Sequence, residues 1–327
     1  MIKKFFIRIH WGYLVLPLML LLVLPAHSQS AILECNQGTE MGIIRNYKNE
    51  VDITYNLYCD QLSFNYVDRN SMTIRSAPIP TNWDVWDFVV YDGFVYFCGQ
   101  ESRNYNYYAI FGYFNIQDVF FNNGLIAYYK TDLHAIATLQ KIDAKRTSSG
   151  DIHMVMIGTG YPSKSSPCSM IADAWLDAMG NITFKYTVES SGTYQFNDVA
   201  LTDNFAVVSA MGLLSGITGS IHNVLYYKEP VLPNNSYFDS WYLYQTPLWQ
   251  ADPSTLLASQ PIQITKMEQD GFATVCLSSF PGKIAVSIFS SPTTPPIKRF
   301  ILPYDDYFQE IVYNPQKLAL FILERRV

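Results

Sequence analysis

Residues 87–99 read DFVVYDGFVYFCG. An acid leads four mostly apolar residues, Asp-Gly follows, and Phe opens a second apolar run. Asp-Gly supplies the positive φ angles of a two-residue turn whose twist matches its flanking strands, so the segment predicts a β-hairpin. The same order of residue types recurs without a gap in DVALTDNFAVVSA at 198–210, and TKMEQDGFATVCL at 265–277 takes the same register, which sets Cys276 on Cys98 and both Phe205 and Phe272 on Phe94. Two looser matches carry longer turns: LQKIDAKRTSSGDIHMVMIG at 139–158 and QEIVYNPQKLALFIL at 309–323. Turn centres then fall near 93, 150, 204, 271 and 316, an average step of about 56 residues.

Working outward from the hairpins, two more strands follow each of the first four. They are YAIFGYFN (108–115) and GLIAYYK (124–130), CSMIADAWL (168–176) and NITFKYTV (181–188), HNVLYYK (222–228) and YFDSWYLYQ (237–245), and KIAVSIFS (283–290) and IKRFILP (297–303). Beyond the first 28 residues no run of 12 or more keeps a helical period, so the chain reads as all-β. A repeat of four strands predicts a β-propeller, in which each blade is one four-stranded sheet. The fifth hairpin has no strands left after it, while EVDITYNLYC (50–59) and SMTIR (71–75) have no hairpin before them. The expectation is five four-stranded blades, with the N- and C-terminal strands sharing the last one and removing free edges. Six or seven blades, or a β-sandwich, are the alternatives.

The first 28 residues stand apart. MIKKFFIRIHWG is basic, YLVLPLMLLLVLP is an apolar run of 13, and AHS supplies the small residues of a cleavage site. This predicts a signal peptide over 1–28 and a single propeller domain over 29–327. Thirteen apolar residues fall short of the ~20 that span a membrane, and no later segment is long enough, so no transmembrane segment is expected after cleavage. Glu34 before Cys35 argues against lipidation there. The protein is expected to be exported: periplasmic, on the cell surface or secreted. Of 22 basic residues, Lys3, Lys4 and Arg8 leave with the leader, so 19 face 28 acids, a net charge of −9. That balance excludes a nucleic-acid partner, which needs a concentrated basic face. Aromatic residues reach 15% and charged residues only 15%. The cysteines, at 35, 59, 98, 168 and 276, are odd in number and form no CxxC pair. Cys98 and Cys276 lie in apolar strands and are expected as buried thiols, whereas Cys35 with Cys59 is the one pair considered for a disulfide.

With DGFVYFCG followed by AIFGYF, the chain over 40–323 resembles the secreted bacterial β-propeller repeat proteins. The resemblance implies a fold and a face for binding. It carries no catalytic residue across, and the chain has neither serial WD dipeptides, nor the kelch double glycine, nor the SxDxGxxW box of sialidases.

Motifs for chemistry are sparse. GxSxG, HExxH, DxDxDG, GxGxxG and GxxxxGK are absent, and GLLSG at 212–216 has the wrong spacing to make Ser215 a nucleophile. His134, His153 and His222 read as structural residues. No catalytic residue, metal or cofactor is expected. Asp87 and Asp198 hold one place in the repeat, and their recurrence points to acceptors for neighbouring backbone N–H groups. As acids directed into a central funnel they would instead serve a glycan-active hydrolase or lyase, which needs two carboxyls. The aromatic connections are the better lead. The loops entering each first strand and following each second strand share one face of a propeller, gathering Trp83, Asp84, Trp86, Arg103, Tyr105, Tyr107, Tyr161, Tyr304, Asp305, Asp306 and Tyr307. Trp86 and Tyr307 are expected to pack between blades, and Trp83, Arg103 and Tyr105 to be exposed. Flat aromatic faces stack on sugar rings or apolar side chains, with Asp or Arg fixing polar groups. The sequence therefore predicts a non-enzymatic binding protein for a glycan or a cell-envelope protein.

Overall fold

The first described strand starts at Ile43. The computed structural model describes residues 42–48, 50–58, 61–104, 106–131, 137–160, 168–188, 194–213, 221–228, 242–244, 263–277, 283–294, 296–303, 307–314 and 319–325. Each of the first five sheets is an antiparallel meander of four strands in chain order. They are β1 (Ile43–Lys48), β2 (Val51–Tyr58), β3 (Gln61–Asp68) and β4 (Thr73–Pro78); β5 (Trp83–Tyr91), β6 (Phe94–Arg103), β7 (Asn106–Asn115) and β8 (Ala127–Lys130); and β9 (Ala137–Arg146), β10 (Ile152–Gly160), β11 (Cys168–Leu176) and β12 (Ile182–Val188). Then come β13 (Tyr194–Leu201), β14 (Ala206–Leu213), β15 (Ile221–Lys228) and β16 (Tyr242–Tyr244), followed by β17 (Gln263–Lys266), β18 (Phe272–Leu277), β19 (Lys283–Phe289) and β20 (Lys298–Pro303). The strands β21 (Tyr307–Asn314) and β22 (Ala319–Arg325) pair with each other. One short helix, α1 (Ile116–Phe121), links β7 to β8, and the Asn115 side chain caps it by accepting from the Asp118 N–H at 3.1 Å.

This is an all-β arrangement consistent with a propeller-like fold, and the grouping of each hairpin with the next two strands is as the repeat predicts. The ends differ from expectation. β1 and β3 complete a four-stranded sheet with β2 and β4, and among the described residues no N-terminal strand joins β21 and β22. The strand β1, IIRNYK, alternates half-buried and exposed positions despite its charges, which is what a sheet's first strand requires.

The turns explain where the repeat holds. Asp92 and Gly93 adopt φ of 50° and 79° between the paired Tyr91 and Phe94, the two-residue turn expected. Asp203 and Asn204 keep negative φ. Their turn is held from outside, because the Asp270 carboxylate accepts from Thr202 Oγ1 at 3.1 Å, Asn204 N at 2.6 Å and Asn204 Nδ2 at 2.8 Å. With Asp270 so engaged, the third hairpin closes through a five-residue loop between Lys266 and Phe272, with positive φ at Gln269. The gapless register therefore fails at 265–277.

The chain forms two compact units. One contains the described residues up to Lys145 together with those of Gly158–Ser165. Its core centres on Phe64, whose ring lies 5.1–5.5 Å from those of Tyr55, Phe88, Phe97 and Phe114. Burying each such ring stabilises by about 2–3 kcal/mol. The other unit contains Arg146–Ile157 and the described residues from Ser166 onward, with a core of Val155, Ile171, Phe196, Val199, Val208 and their neighbours. Phe272 and Phe289 stack on each other in its β18–β19 pair at 4.6 Å. Within each unit the first strands of consecutive sheets lie side by side, β1 by β5 in one, and β13 by β17 by β21 in the other.

Candidate functional site

The start of the second sheet positions the candidate site. Along β5 the burial alternates: Trp83 and Val85 are inside, Asp84 and Trp86 outside. Period-two counting back from the buried Phe88 would place Trp86 inside. An extra residue breaks that parity, because Val85 pairs with Gly99 and Asp87 with Cys98, leaving Trp86 in a β-bulge. Its indole is 49% exposed. Two expectations are therefore corrected: Trp86 does not pack inside, and Trp83 is not on the surface. Trp83 is 4% exposed, with its ring 4.3 Å from Tyr128 and 6.0 Å from Phe97.

Pairing across β5, β6 and β7 then sorts the side chains between the two faces of the sheet. Asp84 faces Gln100, and Gln100 Nε2 donates to Asp84 Oδ2 at 2.8 Å. Ser102 lies two residues along β6 on that same face and pairs with Tyr107, which is 41% exposed. The opposite face carries Trp83, Glu101, Arg103, Tyr108 and Lys130. There Lys130 Nζ sits 3.0 Å from Glu101 Oε2 and 3.7 Å from the Tyr108 ring centroid, while Asn82 Nδ2 donates to Glu101 Oε1 at 3.1 Å. Arg103, exposed, ends β6. The predicted site is thus divided: Asp84 and Tyr107 share a face with Gln100, and Arg103 belongs to the other. Tyr105, Tyr161, Tyr304, Asp305 and Asp306 lie outside the described residues, as do Ser215, His134 and the Cys35–Cys59 pair; of Tyr307 and His222 only the backbone is described.

The repeat acids do structural work. Asp87 Oδ1 accepts from Arg45 Nη2 at 2.8 Å and its Oδ2 from the Ile142 N–H of β9 at 3.3 Å. Asp198 Oδ2 accepts from the Ile264 N–H of β17 at 2.8 Å. Each carboxylate therefore fixes the first strand of the next sheet. Asp198 also follows a bulge, between Phe196 and Asp198, and like shifts lie between Phe308 and Glu310 and between Asn46 and Lys48. The thiol of Cys98, wholly buried, is pushed well above its ordinary range by burial and by Asp87, against a smaller lowering from Lys141. His153 Nε2 lies 2.8 Å from Asp173 Oδ1 and its ring stacks on Trp175 at 4.8 Å, deep in the third sheet. Among the described residues no group of three or more His, Cys, Asp or Glu could hold a metal. No described helix is long and apolar enough to cross a membrane.

One feature of the site lay outside the sequence reading. Gly99 and Gly158 end the second strand's apolar run in their respective repeats, and a polar residue follows each: Gln100 and Thr159. A Cβ on Gly99 would stand 1.9 Å from the Asp84 carbonyl oxygen, and one on Gly158 would stand 1.9 Å from that of Thr138. Thr138 and Thr159 hydrogen-bond at 3.0 Å, just as Gln100 bonds Asp84. Aligning the two Gly-polar dipeptides would have revealed this second polar pair.

No protein-family model matches the chain, and no curated protein matches it in sequence. Solved structures resemble it in backbone. The N-terminal domain of Nup159 aligns at 10% identity over 87% of this chain and 73% of its own, with a TM-score of 0.44. Cobalt-substituted apocarotenoid oxygenase of Synechocystis aligns at 10% identity over 87% and 64%, with a TM-score of 0.49. A prolyl endopeptidase aligns at 13% identity over 88% and 42%, with a TM-score of 0.43. The chain thus spans under two thirds of the oxygenase and under half of the endopeptidase.

Proposed function

We propose that this is an exported, non-enzymatic binding protein that holds a glycan or another extracytoplasmic protein at the start of its second sheet. The observation that carries the reading is the exposed indole of Trp86, set out by a bulge and sharing its outward direction with Asp84. Tyr107 stands exposed on the face that Asp84 and Gln100 share. A large aromatic held outward by a backbone irregularity gains nothing for the core; it is suited to stacking on a ligand. The basic, apolar leader and the excess of acids support an exported protein without nucleic-acid affinity. A propeller arrangement of the sheets, with this end on its binding face, accords with the four-stranded repeat. Asp87 and Asp198 are engaged with backbone donors of neighbouring strands, which favours binding over hydrolysis by repeat carboxylates.

The test is retention on arrays of glycans and of envelope proteins. Trp86→Ala and Tyr107→Ala should each weaken retention by about 1–3 kcal/mol if these residues are anchors, while leaving the thermal midpoint within a degree or two of wild type, because both are exposed. Retention unchanged in both variants would sink the proposal.

A further inference from the structure

We infer that the outer edge of the second sheet is a self-association surface, on which β8 of one copy pairs antiparallel with β8 of another. The surface is independent of the ligand reading above, because β8 ends the sheet that β5 begins. Among the described residues β8 pairs with β7 alone. A strand so placed presents a row of backbone N–H and C=O groups outward, a template for another strand. Ala127, Tyr128 and Tyr129 are exposed along it, and Leu125 just before it is 91% exposed. Tyr129 lies on the face of the sheet that carries Phe111, and Tyr128 on the face that carries Trp83 and Lys130, so a tyrosine flanks the edge on either side.

Charge and area select a second copy as the occupant. Proteins keep sheet edges from pairing with charges, prolines or bulges. The other outer strands whose side chains are described follow this rule: β4 has exposed Arg75 and Pro78, β12 exposed Lys185, and β20 exposed Lys298 and Arg299. Two copies meeting at one of those edges would bring cation against cation. No such guard stands on β8. Its register with β7 is regular from Ala127 to Lys130. Its one charge is drawn back across the sheet, with Lys130 Nζ 3.0 Å from Glu101 Oε2 on β6 and 3.7 Å from the Tyr108 ring centroid on β7. A twofold axis normal to the sheet and centred on either tyrosine sets that ring against its own copy, an aromatic cross-strand pair. The contact is isologous and therefore stops at a dimer. The exposed surface of Leu125, Tyr128 and Tyr129 comes to roughly 350 Å² per copy, under half of the ~800 Å² that a standard interface takes from each partner, so the dimer is weak and forms at high concentration.

The experiment is sedimentation velocity on the whole protein from about 1 to about 300 μM, with amide hydrogen exchange measured at the two ends of that range. The protein should sediment as a monomer when dilute and increasingly as a dimer when concentrated, and the dimer should dissociate on dilution. Amides over 125–130 should exchange more slowly in the concentrated sample, and those of β4, β12 and β20 equally in both. Leu125→Lys and Tyr128→Lys should each weaken dimerisation about tenfold or more. Tyr186→Lys, which places the same charge on the exposed aromatic of β12, should leave it unchanged. Tyr128 packs 4.3 Å from Trp83, whereas Leu125 has almost no contact to lose, so Leu125→Lys decides the matter if circular dichroism shows Tyr128→Lys to be unfolded. A monomer at every concentration overturns the inference, whether or not the edge then takes a strand from a different protein. A dimer that tolerates both lysines, or that protects another edge, overturns it too.

Discussion

Asp87 connects three sheets through one carboxylate, taking an ion pair from Arg45 on β1 and a backbone bond from Ile142 on β9. Its neutral amide analogue keeps the shape but offers hydrogens where one of those two donors points. Asp87→Asn should therefore cost about 1–3 kcal/mol, since the half-buried Arg45 is left without its countercharge or the Ile142 N–H without its acceptor; urea unfolding at neutral pH would show it, and an unmoved midpoint would refute the role. Tyr55 makes a different kind of contact, its phenol oxygen accepting from the Val85 N–H at 3.3 Å. Burial above all holds its pKa up at about 12 against an ordinary 10, with the Val85 bond pulling the other way and Asp84 adding a little. The unfolded chain loses this proton first, so the stability it contributes is complete below pH 10 and is lost as pH rises towards 12. Tyr55→Phe should flatten the fall in stability between pH 10 and 12, at the loss of about 1 kcal/mol at pH 7 for the missing bond. Denaturant midpoints at pH 7, 10 and 11 measure both effects, and an equal slope in the variant would contradict the assignment.

Close approach of strands is the theme at the scale of elements. Gly99 and Gly158 let β6 and β10 cross the carbonyls of Asp84 and Thr138 at distances no side chain tolerates. Alanine at either position must push backbone aside and should cost about 2–3 kcal/mol. Gly150→Ala meets open space and only the strain of φ +95°, about 1 kcal/mol. Thermal unfolding of the three variants should rank them so; Gly150→Ala as the worst would deny the close-approach account. Strands such as β11 and β19 were legible in the sequence because continuous apolar runs bounded by turns admit one reading. β1 and β3 were not, since IIRNYK only half-buries alternate positions and QLSFNYVD buries Ser63 and Asn65 on either side of Phe64, and both mix charge or amide groups with apolar ones. Trp83 and Trp86 were read inside out because the sequence there reads as a connection, whereas both lie on β5, where parity decides burial. Their strand contains a bulge, and one inserted residue reverses every inward and outward assignment before it. The third hairpin misled in another way: its Asp-Gly looks like a tight turn, but the aspartate binds the neighbouring turn instead.

For the molecule as a whole, the repeat predicted the order of sheets better than it predicted their ends. Four of the five complete sheets begin at a quoted hairpin and end where the traced strands end, because sequential antiparallel strands need only local turns to form. How the termini are accommodated depends on long-range pairing that no local pattern records, and β1–β4 form a sheet of their own. The hairpin β21–β22 nonetheless lies against β17 and β18. Deleting residues 304–327 should uncover the apolar side chains there, drop the thermal midpoint by more than ~5 °C and promote aggregation; a truncated chain that stays monomeric with an unchanged midpoint would contradict this. The bulges have a consequence for how such a chain diversifies. At each of the shifts in β1, β5, β13 and β21 one residue falls outside the ladder: Tyr47, Trp86, Asn197 and Gln309. What occupies that slot is not dictated by pairing, so mutation can explore it while, in β5 and β13, the aspartate that follows holds the first strand of the next sheet. A change such as Asn197→Trp would therefore set a further aromatic residue outside a ladder without costing the sheet a paired position.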